Sequence, residues 1–139
     1  MKILVPVDGS SSSNRAVKHL IRYWGGGTSG SITLMYVDLP LHANVASRVD
    51  AASLQRFHED NGKTAMRQAA RLLTKAGHLY ENSLSVGDPA SEITRMARMG
   101  RYDLIIMGSH GRSVVQSLFL GSVVVKVLST SKTPVLVVR

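Results

Sequence analysis

Short apolar segments recur along this chain, and segments with helical periodicity separate them. The apolar segments cover residues 2–7, 31–38, 80–86, 102–108 and 132–139. Most of them are almost continuously apolar, which is typical of strands that are buried on both faces of a parallel sheet. The alternation therefore predicts an α/β fold, a doubly wound five-stranded parallel sheet with helices on both faces. The length of 139 residues predicts a single domain over residues 1–139.

Four segments between the strands have helical signals. The predicted helices cover residues 11–24, 51–76, 89–99 and 122–131, and residues 39–50 are predicted as a loop. Serines precede the first helix, and Pro89 stands in the first turn of the third. The segment 122–131 is rich in valine, which favours a strand. We predict a helix there because a crossover must separate two parallel strands.

Composition excludes several classes of protein. The chain has no cysteine, so disulfides, thiolate metal sites and thiol catalysis are excluded. The first apolar run is short and is broken by Pro6 and Asp8, and no later run approaches 18 apolar residues. We therefore expect a cytoplasmic protein with neither a signal peptide nor a membrane span. The five histidines are scattered without H-x-x-x-H spacing, so we predict no transition-metal site held by the protein.

Small and polar residues follow the first and the fourth strand, as "DGS" and as "GSHGR". In a doubly wound sheet, ligands bind beyond the carboxyl ends of the strands, where the winding reverses. Because Gly108 and Gly111 have no Cβ, an anion could approach the main-chain N–H groups there. Gly121 and Ser122 would begin a helix whose first turn favours negative charge. This pattern predicts a phosphate-binding site. The alternative is a purely structural role, in which the glycines form ordinary turns and begin a helix.

A helix N-terminus alone binds an anion weakly. It contributes about 0.3–1 kcal/mol, whereas micromolar affinity needs about 8 kcal/mol. We therefore expect an apolar group, such as a nucleotide base, to be buried as well. Asp8 could accept hydrogen bonds from an adenine amino group or a ribose hydroxyl, and Val37 could form a wall beside the base. The alternative role for Asp8 is to cap the first helix.

Three longer motifs stand in order along the chain: "LVPVDGS" at the start, "GDPASEI" in the middle and "DLIIMGSHGRSVVQSLFLGSVVVKVLSTSKTPVLVV" at the end. Together they resemble the universal stress protein family. The spacing Gly108-x2-Gly111-x9-Gly121-Ser122 is similar to the signature of the ATP-binding branch. The resemblance implies an ATP- or AMP-binding (or ADP-binding) protein that is usually a homodimer. It also implies the strand order 3-2-1-4-5, in which the first and fourth strands are neighbours.

The resemblance also implies roles for individual residues. Those expected to wall the adenine and ribose are Pro6, Val7, Asp8 and Val37. Those expected on the phosphate side are Met107, Gly108, Gly111, Arg112, Gly121, Ser122 and Val123. Magnesium would then arrive with the phosphates of the nucleotide.

The sequence does not match the common motifs for dinucleotide binding, hydrolysis or phosphoryl transfer. "GGGTSG" follows a helix and precedes a strand, the reverse of the dinucleotide-binding context. "MGSHG" lacks the first glycine of the G-x-S-x-G elbow, and no P-loop is present. Ser109, His110 and Asp103 are too close in sequence to assume a triad. We expect at most slow ATP hydrolysis or self-phosphorylation.

The formal net charge of +8 is unevenly distributed. Lys63, Arg67, Arg71 and Lys75 recur every four residues on one predicted helix, and Arg15, Lys18 and Arg22 line another. These rows are either solvated helix faces or a docking surface for nucleic acid or an acidic partner. The lack of interleaved aromatic residues favours the solvated faces.

The last strand is apolar on both faces and is expected at a sheet edge. An exposed edge of this kind pairs readily, so we predict a homodimer through residues 134–138. The function that these features favour is a nucleotide-dependent stress or signalling regulator with an unidentified protein partner. The alternatives are a basic adaptor with a vestigial nucleotide site and, third, a slow ATPase.

Overall fold

The structure is a computed structural model, and it describes residues 1–24, 30–111 and 120–139. Its strands are β1 (Lys2–Pro6), β2 (Ser31–Asp38), β3 (Tyr80–Val86), β4 (Leu104–Gly108) and β5 (Val135–Val138). Its helices are α1 (Ser11–Tyr23), α2 (Ala43–Ala46), α3 (Ala51–Lys75), α4 (Pro89–Met99) and α5 (Ser122–Thr130). In the described ranges, no helix is long and apolar enough to cross a membrane.

All five strands are parallel, in the order β3-β2-β1-β4-β5, which confirms the predicted sheet. From β1 the chain adds β2 and β3 on one side, and it then crosses back to place β4 and β5 on the other. Ile3 pairs with Leu104 and Leu4 with Ile105, so β1 and β4 are neighbours. The winding therefore reverses between β1 and β4, whose carboxyl ends lie side by side.

The central strands β1, β2 and β4 are buried on both faces, whereas the edge strands β3 and β5 are more exposed. Successive side chains of a strand point to opposite sides of the sheet. Ile3 and Val5 pack with the helices α1 and α3, whereas Leu4 packs with α4 and α5. This two-sided burial explains why the strands have almost continuous apolar sequences. The helices thus form two layers, α1 with α3 and α4 with α5.

Two of the sequence predictions concern single segments. The valine-rich segment is helical, as α5, which confirms that the need for a crossover outweighs the strand propensity of valine. The prediction that residues 39–50 form only a loop is wrong, because one short helix, α2, lies within them. Of the predicted connection at 25–30, residues 25–29 lie outside the described residues.

Candidate functional site

A cleft lies at the carboxyl ends of β1 and β4, between the two helix layers. Most of the predicted site residues line it, namely Pro6, Val7, Asp8, Val37, Met107, Gly108, Gly111 and Val123. They come from three neighbouring strands and from the first turn of α5. The structure therefore brings these residues together, while their contact with a nucleotide stays a prediction.

The remaining predicted residues lie at the edge of this cleft or outside the described part. Gly121 is the N-cap of α5, and Ser122 is the first residue of that helix and is exposed. Neither of them lines the cleft itself. Arg112, predicted to contact phosphate, lies outside the described residues.

Asp8 holds the turn between β1 and α1. Its Oδ1 accepts a hydrogen bond from the backbone N–H of Ser10 at 3.0 Å. Ser10 is in turn the N-cap of α1, because its Oγ accepts from the N–H of Ser13 at 3.1 Å. Gly9 between them has φ +82°, a left-handed conformation that favours glycine. The helix-capping role considered for Asp8 thus belongs to Ser10, and Asp8 stays half-exposed at the cleft.

Two of the signature glycines lie close to the backbone of other parts of the protein, and Gly108 lies closest. A Cβ on Gly108 would lie 2.5 Å from the carbonyl carbon and oxygen of Ser12, in the first turn of α1. A Cβ on Gly121 would lie 3.3 Å from Cα of His110. Close backbone contact thus gives a second reason for a glycine at position 108 and a weaker one at 121, while the approach of phosphate to them stays a prediction.

Gly111 differs from these two glycines. Among the described residues, a Cβ there would have one atom within 4 Å, Asp8 Oδ2 at 3.0 Å. The loop after β4 therefore reaches the aspartate that follows β1. This contact joins the two loops that the sequence predicted to meet at one site.

Ser109 and His110 do not belong to a catalytic triad with Asp103. Ser109 is almost completely buried, with 1% of its surface exposed, and its Oγ lies 2.9 Å from His110 Nδ1. Asp103 precedes β4 and lies at the amino ends of the strands, opposite the cleft. Its Oδ2 accepts a hydrogen bond from the backbone N–H of Lys2 at 2.6 Å. The length of β4 separates the carboxylate from the imidazole, which supports the exclusion made from sequence.

Sequence reasoning missed several residues that line the cleft, namely Ser13, Met35, Tyr36, Pro89, Ile93, His110 and Val124. Most are apolar or belong to buried elements, so in the sequence they look like ordinary core residues. A usable signal existed for Pro89 and Ile93, because the "GDPASEI" motif contains both. His110 stands inside the glycine signature, but from the sequence it is a candidate only for a catalytic triad.

The cleft combines apolar walls with a small number of polar groups. Val37, Met107, Ile93 and Val123 supply much of the apolar surface, and Asp8 supplies a carboxylate. A pocket of this composition suits a ligand with a flat apolar part and a polar part. Within the described ranges, no group of three or more histidine, aspartate or glutamate side chains could hold a metal ion.

A buried polar cluster lies behind the cleft, centred on Asp38 at the end of β2. Its Oδ1 accepts from the hydroxyl of Tyr36, a cleft residue, at 3.0 Å. Its Oδ2 lies 2.8 Å from Nδ1 of His58 and accepts from Nδ2 of Asn61 at 2.8 Å. Burial by itself raises the pKa of Asp38, but the hydrogen bonds of Asn61, His58 and Tyr36 outweigh burial and lower the pKa below its ordinary value. The cluster fastens α3 to the end of β2.

The strand order and the position of the cleft define a class, the doubly wound Rossmann-like α/β proteins. The chain belongs to the universal stress protein family, whose family model ("Universal stress protein family") matches residues 1–139.

Individual relatives agree with this assignment. Universal stress protein MJ0531 of Methanocaldococcus jannaschii is 28% identical over 99% of this chain and 81% of its own length. The solved structure of MJ0577, from the same organism, has 31% identity and a TM-score of 0.82, covering 99% of this chain and 94% of that one. A universal stress protein crystallised in complex with cAMP has 26% identity and a TM-score of 0.74, covering 100% and 97%.

Proposed function

We propose that the cleft binds an adenine nucleotide, ATP, ADP or AMP, and that the protein is a nucleotide-dependent regulator of a stress response or signalling pathway in the cytoplasm. The complex of a related universal stress protein with cAMP supports an adenine nucleotide as the class of ligand. The observation that carries the proposal is the meeting of the loops after β1 and β4, where Asp8 Oδ2 approaches Gly111.

The apolar half of the cleft suits the adenine ring. Val37 and Met107 come from strands on either side of β1, and Pro6 and Val7 lie at the end of β1 itself. Burying a flat ring among such side chains contributes about 25 cal/mol per Å² of apolar surface. Asp8, at the polar margin, is an acceptor for the ribose hydroxyls or the adenine amino group.

The phosphate half is expected at the start of α5. Gly121 is the N-cap and supplies no side-chain acceptor, whereas Ser10, Asp50 and Asp88 each cap their own helices. The N-terminus of α5 favours an anion by about 0.3–1 kcal/mol. Most of the affinity must then come from the base and the ribose, and a magnesium ion would be held through the phosphates.

Calorimetric titration of ATP and AMP into nucleotide-stripped protein tests this proposal. We expect micromolar ATP binding by the wild type. Val123→Asp places a carboxylate on the phosphate side of the cleft, and like-charge repulsion should weaken ATP binding at least ~30-fold and AMP binding less.

Val125→Asp is the matched control, because it adds the same charge to the same turn of α5 at a residue that is 51% exposed. It should bind ATP within about 3-fold of the wild type. If the nucleotide-stripped wild type bound neither ATP nor AMP, the proposal would be contradicted. Equal weakening by both variants would contradict the phosphate position.

We also propose that the protein forms a homodimer through residues 134–138. In the described part of the chain β5 pairs only with β4, so its other edge has backbone groups available for a second copy. Leu136→Glu or Val138→Glu should give a folded monomer of about 15 kDa in light scattering, half the mass of the wild type. Val86→Glu, on the opposite edge strand, should remain dimeric. A folded Leu136→Glu protein that stays dimeric would refute this interface.

A further inference from the structure

Seven cationic side chains lie on the outer surface of the layer formed by α1 and α3. We call this surface the basic face; its members are Arg15, Lys18, Arg22, Lys63, Arg67, Arg71 and Lys75. All seven are exposed, while the opposite sides of both helices are buried against the sheet. The two rows that the sequence showed separately are therefore carried by one layer.

A shallow groove joins the two helices of this layer. Lys18 of α1 and Lys75 of α3 lie on it, and its other lining residues are Ile21, Leu72 and Ala76. Lys63 and Arg67, nearer the start of α3, line a second groove beside β3. The first groove brings the two rows together at Lys18 and Lys75. An anionic partner that lies across it can contact both helices at once.

Few acidic residues lie near the basic face. Residues 9–37 and 61–80 contain neither aspartate nor glutamate. Within the described residues, Lys63 is the one member with an ion pair, to Asp60 at 3.8 Å, and both side chains are largely exposed. Exposed pairs of this kind contribute little and are screened by salt. Glu59 also lines a groove with Lys63 and Arg67, so acidic residues adjoin the face at the start of the α3 row. The other members lie in segments without acidic residues, and the face keeps an excess of positive charge.

The opposite helix layer differs from the basic face. Lys126 of α5 lies 3.7 Å from Asp88, at the start of α4. Arg95 of α4 binds the carboxylate of Glu92 through two guanidinium nitrogens. Two cations of this layer are therefore neutralised by their neighbours, whereas one of the seven members of the basic face has an ion pair within the described residues.

The chemistry of the basic face selects one class of partner. The large apolar residues exposed on these two helices are Tyr23, which ends α1, and Phe57, in the second turn of α3 before Lys63. The middle of the face thus has no apolar anchor for a membrane and no hot spot for a protein partner. It also has no aromatic platform on which single-stranded bases could stack. Four of the seven cations are arginines, which bind phosphate oxygens through two parallel N–H groups.

We propose that the basic face binds the phosphate backbone of double-stranded nucleic acid without regard to sequence. The row from Lys63 to Lys75 covers about 18 Å of helix, at 1.5 Å per residue. A DNA duplex presents one phosphate charge per about 1.7 Å of its axis, so several cations find partners at once. This activity is separate from the nucleotide cleft, which lies at the carboxyl ends of the strands.

Fluorescence anisotropy with a labelled DNA duplex of roughly 20 base pairs tests the proposal. The wild type should bind two unrelated sequences equally, with micromolar affinity at about 50 mM salt. Four or five phosphate contacts would give a slope of about −4 in a plot of log affinity against log salt concentration. Arg67→Glu with Arg71→Glu should weaken binding at least ~30-fold and reduce the slope by about 2 units.

Arg98→Glu with Lys132→Glu is the matched control, since it removes the same charge from the α4 and α5 side. It should bind the duplex within about 3-fold of the wild type. Equal weakening by both double variants would overturn the proposal, because net charge alone would then explain binding. No binding by the wild type at about 50 mM salt would also overturn it.

Competition separates nucleic acid from other anions. A duplex RNA should displace the labelled DNA. If poly-L-glutamate displaces it equally well at the same concentration of charge, the face belongs to acidic proteins and the proposal is wrong. Stronger binding to vesicles rich in phosphatidylserine than to DNA would assign the face to a membrane surface instead, and the proposal would again be wrong.

Discussion

Two aspartates stand at the ends of neighbouring strands, and their surroundings differ. Asp8 follows β1, is half-exposed, lines the cleft and accepts a hydrogen bond from the backbone of Ser10. Asp38 ends β2, is 8% exposed and accepts hydrogen bonds from three side chains of β2 and α3. In the sequence both appear as "VD" at the end of an apolar run.

The difference shows that aspartates at the C-terminal ends of neighbouring strands have different roles in this protein. Asp38 is surrounded by donors from α3, so its charge is used to hold two elements together. Asp8 leaves part of its surface to the cleft, where a ligand can reach it. The variants below test whether stability and nucleotide binding separate between the two positions.

The largest effect is expected from Asp38→Ala. The change leaves His58, Asn61 and the Tyr36 hydroxyl without their common acceptor in a buried place. Removal of one partner from a buried polar cluster of this kind costs about 3 kcal/mol. Urea unfolding should show this loss. Asp8→Ala should cost less than about 1 kcal/mol, and an equal loss in both variants would remove the distinction between the two aspartates.

Nucleotide affinity should show the reverse order. Asp8→Asn removes a charged acceptor from the cleft, and a hydrogen bond to a charged group contributes about 1.5–3 kcal/mol. Calorimetry should therefore show ATP binding weakened about 10-fold to 100-fold. Asp38→Asn keeps an acceptor for the Tyr36 hydroxyl and should bind ATP within about 3-fold of the wild type. A larger loss of ATP affinity in Asp38→Asn than in Asp8→Asn would contradict a ligand site at the end of β1.

A smaller effect is expected at the serine that Asp8 positions. Ser10→Ala removes the side-chain oxygen that caps α1, which costs about 1 kcal/mol of stability. Thermal unfolding measures this loss. Ser11→Ala, at the exposed neighbouring position, should leave the melting temperature nearly unchanged. Equal shifts from the two substitutions would mean that the cap contributes nothing specific.

The pH dependence of stability should give the smallest signal. The folded protein lowers the pKa of Asp38 below its ordinary value of 3.8, so the stabilisation is present above that value. It is lost as the pH falls through the lower folded value, where the carboxyl group becomes protonated. The stability advantage of wild type over Asp38→Asn should therefore shrink below about pH 4 in acid unfolding followed by circular dichroism.

The comparison with Asp38→Asn isolates one carboxyl group. Asp50 and Asp88 also have lowered pKa values, through hydrogen bonds from Ser53 and Ser91 respectively, but both residues remain in the variant. Their contributions cancel in the difference between the two proteins. An advantage that is constant down to about pH 2 would contradict the assigned cause.

The fold could be predicted from the sequence because each strand is an apolar run that a helical pattern separates from the next. Even α5 could be assigned, since a crossover between parallel strands is obligatory. The strand order came from family resemblance, because periodicity contains no information on which strands are neighbours. The short helix α2 was missed: its four residues are too few for a periodic pattern, and none is buried.

The candidate site was predictable only in part. Loop residues such as Asp8 and Gly111 stand out because polar and small residues follow apolar strands. Tyr36 and Ile93 do not, since a residue facing a cleft has the same apolar character as one facing the core. The partners of Asp38 were beyond reach, because His58 is 20 positions away and only the packing of α3 on the sheet brings it near.

The strand order has a consequence for folding of the protein during its synthesis on the ribosome. The central strand β1 is synthesised first, but its neighbour β4 pairs with it across about 100 residues of chain, from Ile3 to Leu104. The half of the sheet made by β1, β2 and β3 can assemble early, with one edge of β1 still open. The cleft is completed only when β4 and the start of α5 have emerged. The residues that line the cleft thus come together later in synthesis than α1 and α3, which carry the basic face.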